Sequence, residues 1–373
     1  MRIAFYPSYR SVSHGTSSGL VSIARDVHSA MQAEGHEVLF PVHQSMEWIY
    51  LRPQTWLNTL KEAWRGDQAV KAARPDCWLT YHTYYRGPDL LGPLLAGRNH
   101  LPYFILEASY ATKYRKRLKT WMGFYLNRHA LLRADMIFVN KLRDVDNLAR
   151  LLPAERITYI RPGISTKAFP RDPALRQSER RRLGLQDKRV VVTAAMMRPG
   201  VKEEGIAFVI EACASLRQDT SDLHLLIAGD GPGRARLEEQ ARRLLPGAHT
   251  FVGRIPPAEM HRVYNAGDVF AFPGINESLG MVYLEAQCCG LPVVATSHDG
   301  APEVVADKIA GIIVPPFAVT DFATALKTLL TDTDLRARFA REARERVLRL
   351  YNMADNYRTM LEVMETVCAR RRL

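Results

Sequence analysis

The chain has 373 residues, 47% of them hydrophobic and 24% charged, a balance that argues against disorder and a length beyond the usual reach of one hydrophobic core. No run is apolar and long enough to cross a bilayer, and the start, MRIAFYPSYR, lacks the apolar region of a signal peptide. The five cysteines, including adjacent Cys288 and Cys289, show no CxxC spacing and no accompanying His cluster, so they support neither a zinc site nor a disulfide framework and suit a reducing cytosol. A net charge of +12 favours an anionic partner, whether nucleic acid, a phosphorylated small molecule or an acidic membrane surface, without choosing among them.

Short apolar runs alternate with amphipathic stretches along the chain. RIAFY predicts a first strand, followed by a helix over 19–34; then come DCWLTYH, PYFILEA, a helix over 112–132, ADMIFVN and RITYI. The stretch RPGISTKAFPRDPALRQSERRRLGLQDK is rich in Pro, Arg and polar residues and has no sustained apolar face, so the domain boundary is placed there, near Ser165. A second series follows, with KRVVVTAAM, LHLLIAGDG, HTFVG, DVFAFPG, PVVATS and GIIVPP as strands and helix-like segments between most of them. The chain ends on a helical pattern over about 352–373. This alternation is that of parallel α/β sheets, giving domains over 1–165 and 166–351, and open sheets of this kind bind ligands outside the carboxyl ends of their strands.

The segment GINESLGMVYLEAQCCGLPVVAT holds two carboxylates, Glu277 and Glu285, in otherwise apolar and small-residue surroundings. A helix starts just after Glu277, and its first N–H groups together with its dipole suit a phosphate, which Gly280 would let approach closely. Spacing alone favours Glu277 as a helix cap and Glu285 as a solvated helical residue over carboxylates that hold a ligand. The loop SHGTSSGL, with Gly15, Ser18 and Gly19 between a strand and a helix, reads equally as a phosphate-facing loop or as a structural turn. GDGPG resembles part of a dinucleotide fingerprint but follows the wrong strand for one.

FPGINESLGMVYLEAQCCGLPVVATSHDGAPEVV resembles the E-x7-E region of the retaining GT-B glycosyltransferases of family four, also called group 1. IEACASL, LLIAGDGPGRARLEEQA and FVGRIPPAEMHRVYNAGDVFAFPG are similar to the family's preceding blocks, in the same order. The resemblance implies two Rossmann-like α/β domains facing a central cleft, the last helix packing back on the first domain. It also implies a nucleotide-diphosphate sugar as donor, with no cofactor and no metal. By the same resemblance Glu277 binds donor-sugar hydroxyls, Glu285 binds the ribose, and Ser278, Leu279, Gly280 and Met281 hold the diphosphate. AAMMRPGVKEEGIAFVIEA matches the block whose Arg and Lys clamp the diphosphate, here Arg198 and Lys202. Glu203 and Glu204 stand where the family commonly has Gly. Gly229 and Gly231 form the turn beside the nucleotide, Arg254 offers backbone groups to the base, and Gly15, Ser18 and Gly19 face the phosphates.

The resemblance is thinner in the first half, where His82 ends a strand and Glu107 stands where many relatives have a His; both are candidates for a catalytic contribution or for a structural role. TKYRKRLKTWMGFYLNRHALLR interleaves cations with aromatics, as an interfacial helix does and as a solvated face also does. Trp48, Trp56 and Trp64 mark a further segment able to cover or line an acceptor site. The implied function is transfer of a sugar, with retention, to a saccharide or lipid-linked acceptor in cell-envelope polysaccharide, lipopolysaccharide or glycolipid synthesis. The location expected is cytoplasmic, with an anionic membrane surface as a further partner and no nucleic acid. The competing readings are a nucleotide-sugar epimerase of GT-B fold and a non-catalytic anion-binding module.

Overall fold

The computed structural model describes residues 1–8, 19–277, 279–298 and 300–372, the side chains of 19–22 and 372 excepted. The chain divides into two compact units, Met1–Pro162 with Met353–Leu373, and Gly163–Asn352.

The first unit is built on six parallel strands, β1 (Arg2–Pro7), β2 (Glu37–Leu39), β3 (Cys77–Thr83), β4 (Tyr103–Ala108), β5 (Met136–Val139) and β6 (Ile157–Tyr159), in the order β2-β1-β3-β4-β5-β6. Strands of a purely parallel sheet are covered on both faces, which is why inner strands such as β1 read as nearly continuous apolar runs, whereas the edge strands β2 and β6 are short and only partly buried. Between them lie α1 (Gly19–Ala33), α2 (Trp56–Ala73), α3 (Leu91–Arg98), α4 (Trp121–Arg133) and α5 (Leu142–Leu148). Residues 112–132 are not one helix: Thr112–Lys116 form a 3-10 turn and α4 starts only at Trp121. Stacking Lys113, Arg115, Lys116, Arg117 and Lys119 on adjacent helical turns would crowd like charges. The chain instead turns at Thr120, whose hydroxyl donates to Tyr114 O at 2.8 Å.

The second unit repeats the plan with β7 (Arg189–Ala194), β8 (Leu223–Ala228), β9 (His249–Gly253), β10 (Val269–Ala271), β11 (Val293–Thr296) and β12 (Gly311–Val314), ordered β12-β11-β10-β7-β8-β9 and all parallel. Its helices are α6 (Pro173–Leu183), α7 (Val201–Leu216), α8 (Arg234–Leu244), α9 (Met260–Ala266), α10 (Met281–Cys288), α11 (Ala301–Val304), α12 (Val319–Thr331) and α13 (Thr333–Leu350). The last helix, α14 (Met353–Arg372), belongs to the first unit. Met360, Leu361, Met364 and Cys368 of α14 join Ile3, Phe5, Val27, Met31 and Leu79 in one buried cluster, and Arg358 pairs with Glu34 of the turn after α1 at 2.9 Å. All five cysteines are buried free thiols.

The polar stretch after Ser165 folds as α6, which is docked by charge rather than by an apolar stripe. Asp172 caps it, accepting from the amides of Ala174 and Leu175 at 2.9 and 3.0 Å. Asp268, just before β10, accepts from Arg176 at 2.5 Å, from Arg180 at 3.3 Å and from the Val190 amide at 2.7 Å. On the other side, buried Glu179 pairs with Arg182 and with Arg262 of α9. Burial alone would raise the Asp268 carboxyl, but the two guanidiniums outweigh it and hold the group below its ordinary value of 3.8.

Replacing Asp268 by Ala strands the nearly buried Arg180 guanidinium and is expected to cost about 3 kcal/mol of stability in urea unfolding. Because the native pKa is the lower one, the contribution of Asp268 is complete at neutral pH and disappears as pH falls below 3.8 through the native value. The stability gap between wild type and Asp268→Ala should therefore narrow in acid.

Candidate active site

The turn from β10 to α10 is shaped by one buried ring. Tyr283 is fully buried, and its hydroxyl donates to Phe272 O at 3.1 Å. A Cβ on Gly274 would lie 2.4 Å from its hydroxyl oxygen, and one on Gly280 would lie 2.3 Å from its ring. Both glycines are left-handed, with φ of 72° and 64°, and Asn276 between them has φ of 50°. The chain thereby wraps over Tyr283 and enters α10 at Met281. The Tyr283 amide closes this turn by donating to Gly280 O at 2.8 Å, and as at any helix start the first amides lack partners within the helix while the dipole favours an anion.

Glu277 stands before this helix start and Glu285 on its second turn. The Glu277 carboxylate is in direct contact with the ammonium of Lys202, both side chains about three-quarters buried. Lys202 is the second residue of α7, so the pair joins the starts of two helices. The Lys202 ammonium also lies over the Phe272 ring at 5.5 Å, and burial lowers its pKa. Glu285 is not a solvated helical residue: it accepts the hydroxyl of fully buried Tyr264, from α9, at 2.7 Å, and burial pushes its carboxyl pKa up. Sequence reading did not find Tyr264, whose only signal is its place on the inward face of a short helix.

Arg198 is exposed, in the loop between β7 and α7. That loop is held by the GDGPG turn after β8. The Met197 amide donates to Asp230 O at 3.0 Å and the Gly233 amide to Met197 O at 2.8 Å. A Cβ on Gly229 would meet Ala195 O at 1.9 Å and one on Gly231 would meet Met197 O at 2.6 Å. These two glycines are thus required by close packing against the Arg198 loop. Glu203, at the position where the resemblance calls for Gly, pairs with Arg236 of α8 at 2.7 Å. Arg254 is exposed beside Gly253, whose carbonyl accepts from the Gly229 amide at 2.9 Å. Leu279 is buried and Met281 half-buried at the helix entry. Gly15, Ser18 and Ser278 lie outside the described residues, and Gly19 opens α1.

In the first unit, His82 of β3 and Glu107 of β4 stand side by side, because Tyr81 pairs with Leu106 and Thr83 with Ala108 in the sheet register. Both are left-handed, with φ of 64° and 61°, a conformation that costs a residue with a Cβ about 1–2 kcal/mol. His82 Nδ1 lies 3.4 Å from Glu107 Oε2, while Asn140 donates to Glu107 Oε1 at 2.6 Å. Burial would raise the Glu107 carboxyl, but His82, Lys141 and Asn140 together hold it below the ordinary glutamate value. Among the described residues no group of three His, Cys, Asp or Glu is placed to hold a metal ion, and no helix is long and apolar enough to cross a membrane.

The family model described as Glycosyl transferases group 1 matches residues 176–346, which span this site. A GDP-mannose-dependent alpha-(1-6)-phosphatidylinositol monomannoside mannosyltransferase of Mycolicibacterium smegmatis is 35% identical over 225 residues, 57% of this chain and 58% of that protein. An alpha-D-kanosaminyltransferase of Streptomyces kanamyceticus is 30% identical over 258 residues, covering 68% of this chain and 66% of its own length. The chain thus spans between half and two-thirds of the length of such curated relatives. The crystal structure of Anabaena Alr3699/HepE in complex with UDP has the same fold, with a TM-score of 0.77 over 98% of this chain and 100% of that one, at 18% identity. Two parallel-sheet α/β domains, the matched second-domain block and these relatives together make this chain a GT-B fold protein related to the group 1 glycosyl transferases of family four.

Proposed function

We propose that the protein transfers a glycosyl group, with retention, from a nucleotide-diphosphate sugar to an acceptor hydroxyl on a saccharide or lipid-linked molecule. The observation that carries this reading is the α10 start, where an anion-favouring helix end has the Lys202–Glu277 pair just before it and the Tyr264-held Glu285 on its second turn. The relatives named above support it, as do structures of the same fold in complex with UDP and with UDP-glucose. The second domain, about 166–351, takes the donor. Residues 1–165, with the last helix, take the acceptor, whose hydroxyls we assign to the His82–Glu107 pair. The place of action is the cytoplasmic side of a membrane.

In this mechanism the bond between the anomeric carbon and the diphosphate oxygen breaks, and the diphosphate leaves with the electron pair. Its growing negative charge is met by Arg198, Lys202 and the α10 amides, in the preorganised manner that makes such stabilisation effective. The acceptor oxygen bonds to the anomeric carbon on the face the diphosphate leaves, and its proton passes to the departing phosphate oxygen. Glu277 binds sugar hydroxyls and orients Lys202, while Glu285 binds the ribose. Fixing the Glu285 carboxylate through Tyr264 lowers the ordering cost of that contact.

Nucleotide release should depend on both a donor sugar and an acceptor. Arg198→Ala and Lys202→Ala should each lower kcat by about 100-fold or more while the protein stays folded. If both variants keep wild-type turnover, or if an epimerised donor forms without an acceptor, the reading fails. Tyr264→Phe frees the Glu285 side chain without removing it; the expected outcome is a raised donor KM with kcat little changed, measured by steady-state kinetics.

A further inference from the structure

The outward face of α2 is apolar. Leu57, Leu60 and Trp64, at helical spacing, are 72%, 67% and 66% exposed, with Lys61 on the same face and Arg65 beside it. The opposite face, with Ala63, Gly66 and Val70, already serves the core. An outward stripe of large apolar side chains therefore does nothing for the domain that carries it.

A second exposed apolar group lies nearby in the fold. Leu118 is 91% exposed, and Trp121 and Tyr125 of α4 are about half exposed. The segment around Trp48 joins the two groups: the Trp56 indole donates to Ile49 O at 3.0 Å, and Lys119 lies 5.1 Å from the Trp48 ring. Tyr50 donates to Tyr85 O at 3.0 Å, and Tyr85 stacks on Tyr114 of the 3-10 turn. Between Glu107 and Asp135 the chain has seven Lys and Arg and no acidic residue.

We propose that this face of the first domain, α2 together with residues 113–125, docks on an anionic lipid bilayer. Exposed leucines enter the acyl boundary, tryptophans settle at the headgroup level and the cations meet lipid phosphates. Nucleic acid fits less well, because single strands are held by aromatic stacking and give exposed leucines no partner. A second copy of the chain fits less well too, since a two-fold interface would set this run of cations against itself. The proposal names the surface for the membrane-side location given above. Its test uses neither donor nor acceptor, so either reading can fail alone.

The test is flotation of the full chain with vesicles of phosphatidylcholine alone and with an added phosphatidylglycerol fraction. Binding is expected only with phosphatidylglycerol, weakening as salt rises, with a blue shift of tryptophan emission. The triple variant Leu57→Ser, Leu60→Ser, Trp64→Ser should lower vesicle partition by about tenfold or more, and Leu118→Ser should lower it further. Arg115→Gln and Lys116→Gln should each cost about fivefold. All these positions are exposed, and an unchanged circular dichroism spectrum and melting temperature would show the variants folded. The proposal is overturned by absence of binding to anionic vesicles, by binding that the variants leave intact, or by a dimer in sedimentation that the triple variant dissociates.

Discussion

The buried ring of Tyr283 leaves no space for a Cβ at Gly274 or Gly280, so the chain between them must curl over it in left-handed conformations before α10 can begin. That constraint sets where the helix starts, and it sets where Glu277 and Glu285 stand relative to that end. The contact of Glu277 with Lys202 then fixes the start of α7 against the same place. A single aromatic side chain, packed for stability, thus determines the geometry on which the proposed chemistry rests.

Charge does structural work in this protein in places where hydrophobic burial would be the usual device. Helix α6 is held by Asp268 and Glu179 gripping four arginines, and the helix has little apolar surface of its own. Such pairs stabilise only while both partners are present, since each guanidinium left behind would be a partly desolvated cation. The His82–Glu107 pair is a different case. Two adjacent residues with side chains hold an unfavourable backbone conformation in the middle of a parallel sheet, and strain of that kind persists only where the surroundings enforce it.

Helix α2 illustrates how one element can serve two apolar environments. Its inner face packs on the first sheet's core through Val70 and Ala63, and its outer face presents Leu57, Leu60 and Trp64. Seen as sequence, such a helix carries apolar residues on two faces rather than in one clean amphipathic stripe.

The sequence by itself determined the two parallel α/β sheets, because strands buried on both faces must be continuous apolar runs with helices between them. It also marked the Glu277–Glu285 block, whose small residues and helix signals are local. The tertiary structure alone decided the rest. The partner of Glu285 is Tyr264, and the partner of Glu277 is Lys202, on another helix; no local pattern encodes either pairing. The same holds for α6, whose docking depends on Asp268 far along the chain, and for the role of Gly229 and Gly231, which is to admit the backbone of a loop more than thirty residues earlier. Chain-local physics sets periodicity and turn chemistry, whereas contacts between distant residues exist only once the sheets have assembled and brought their strand ends together.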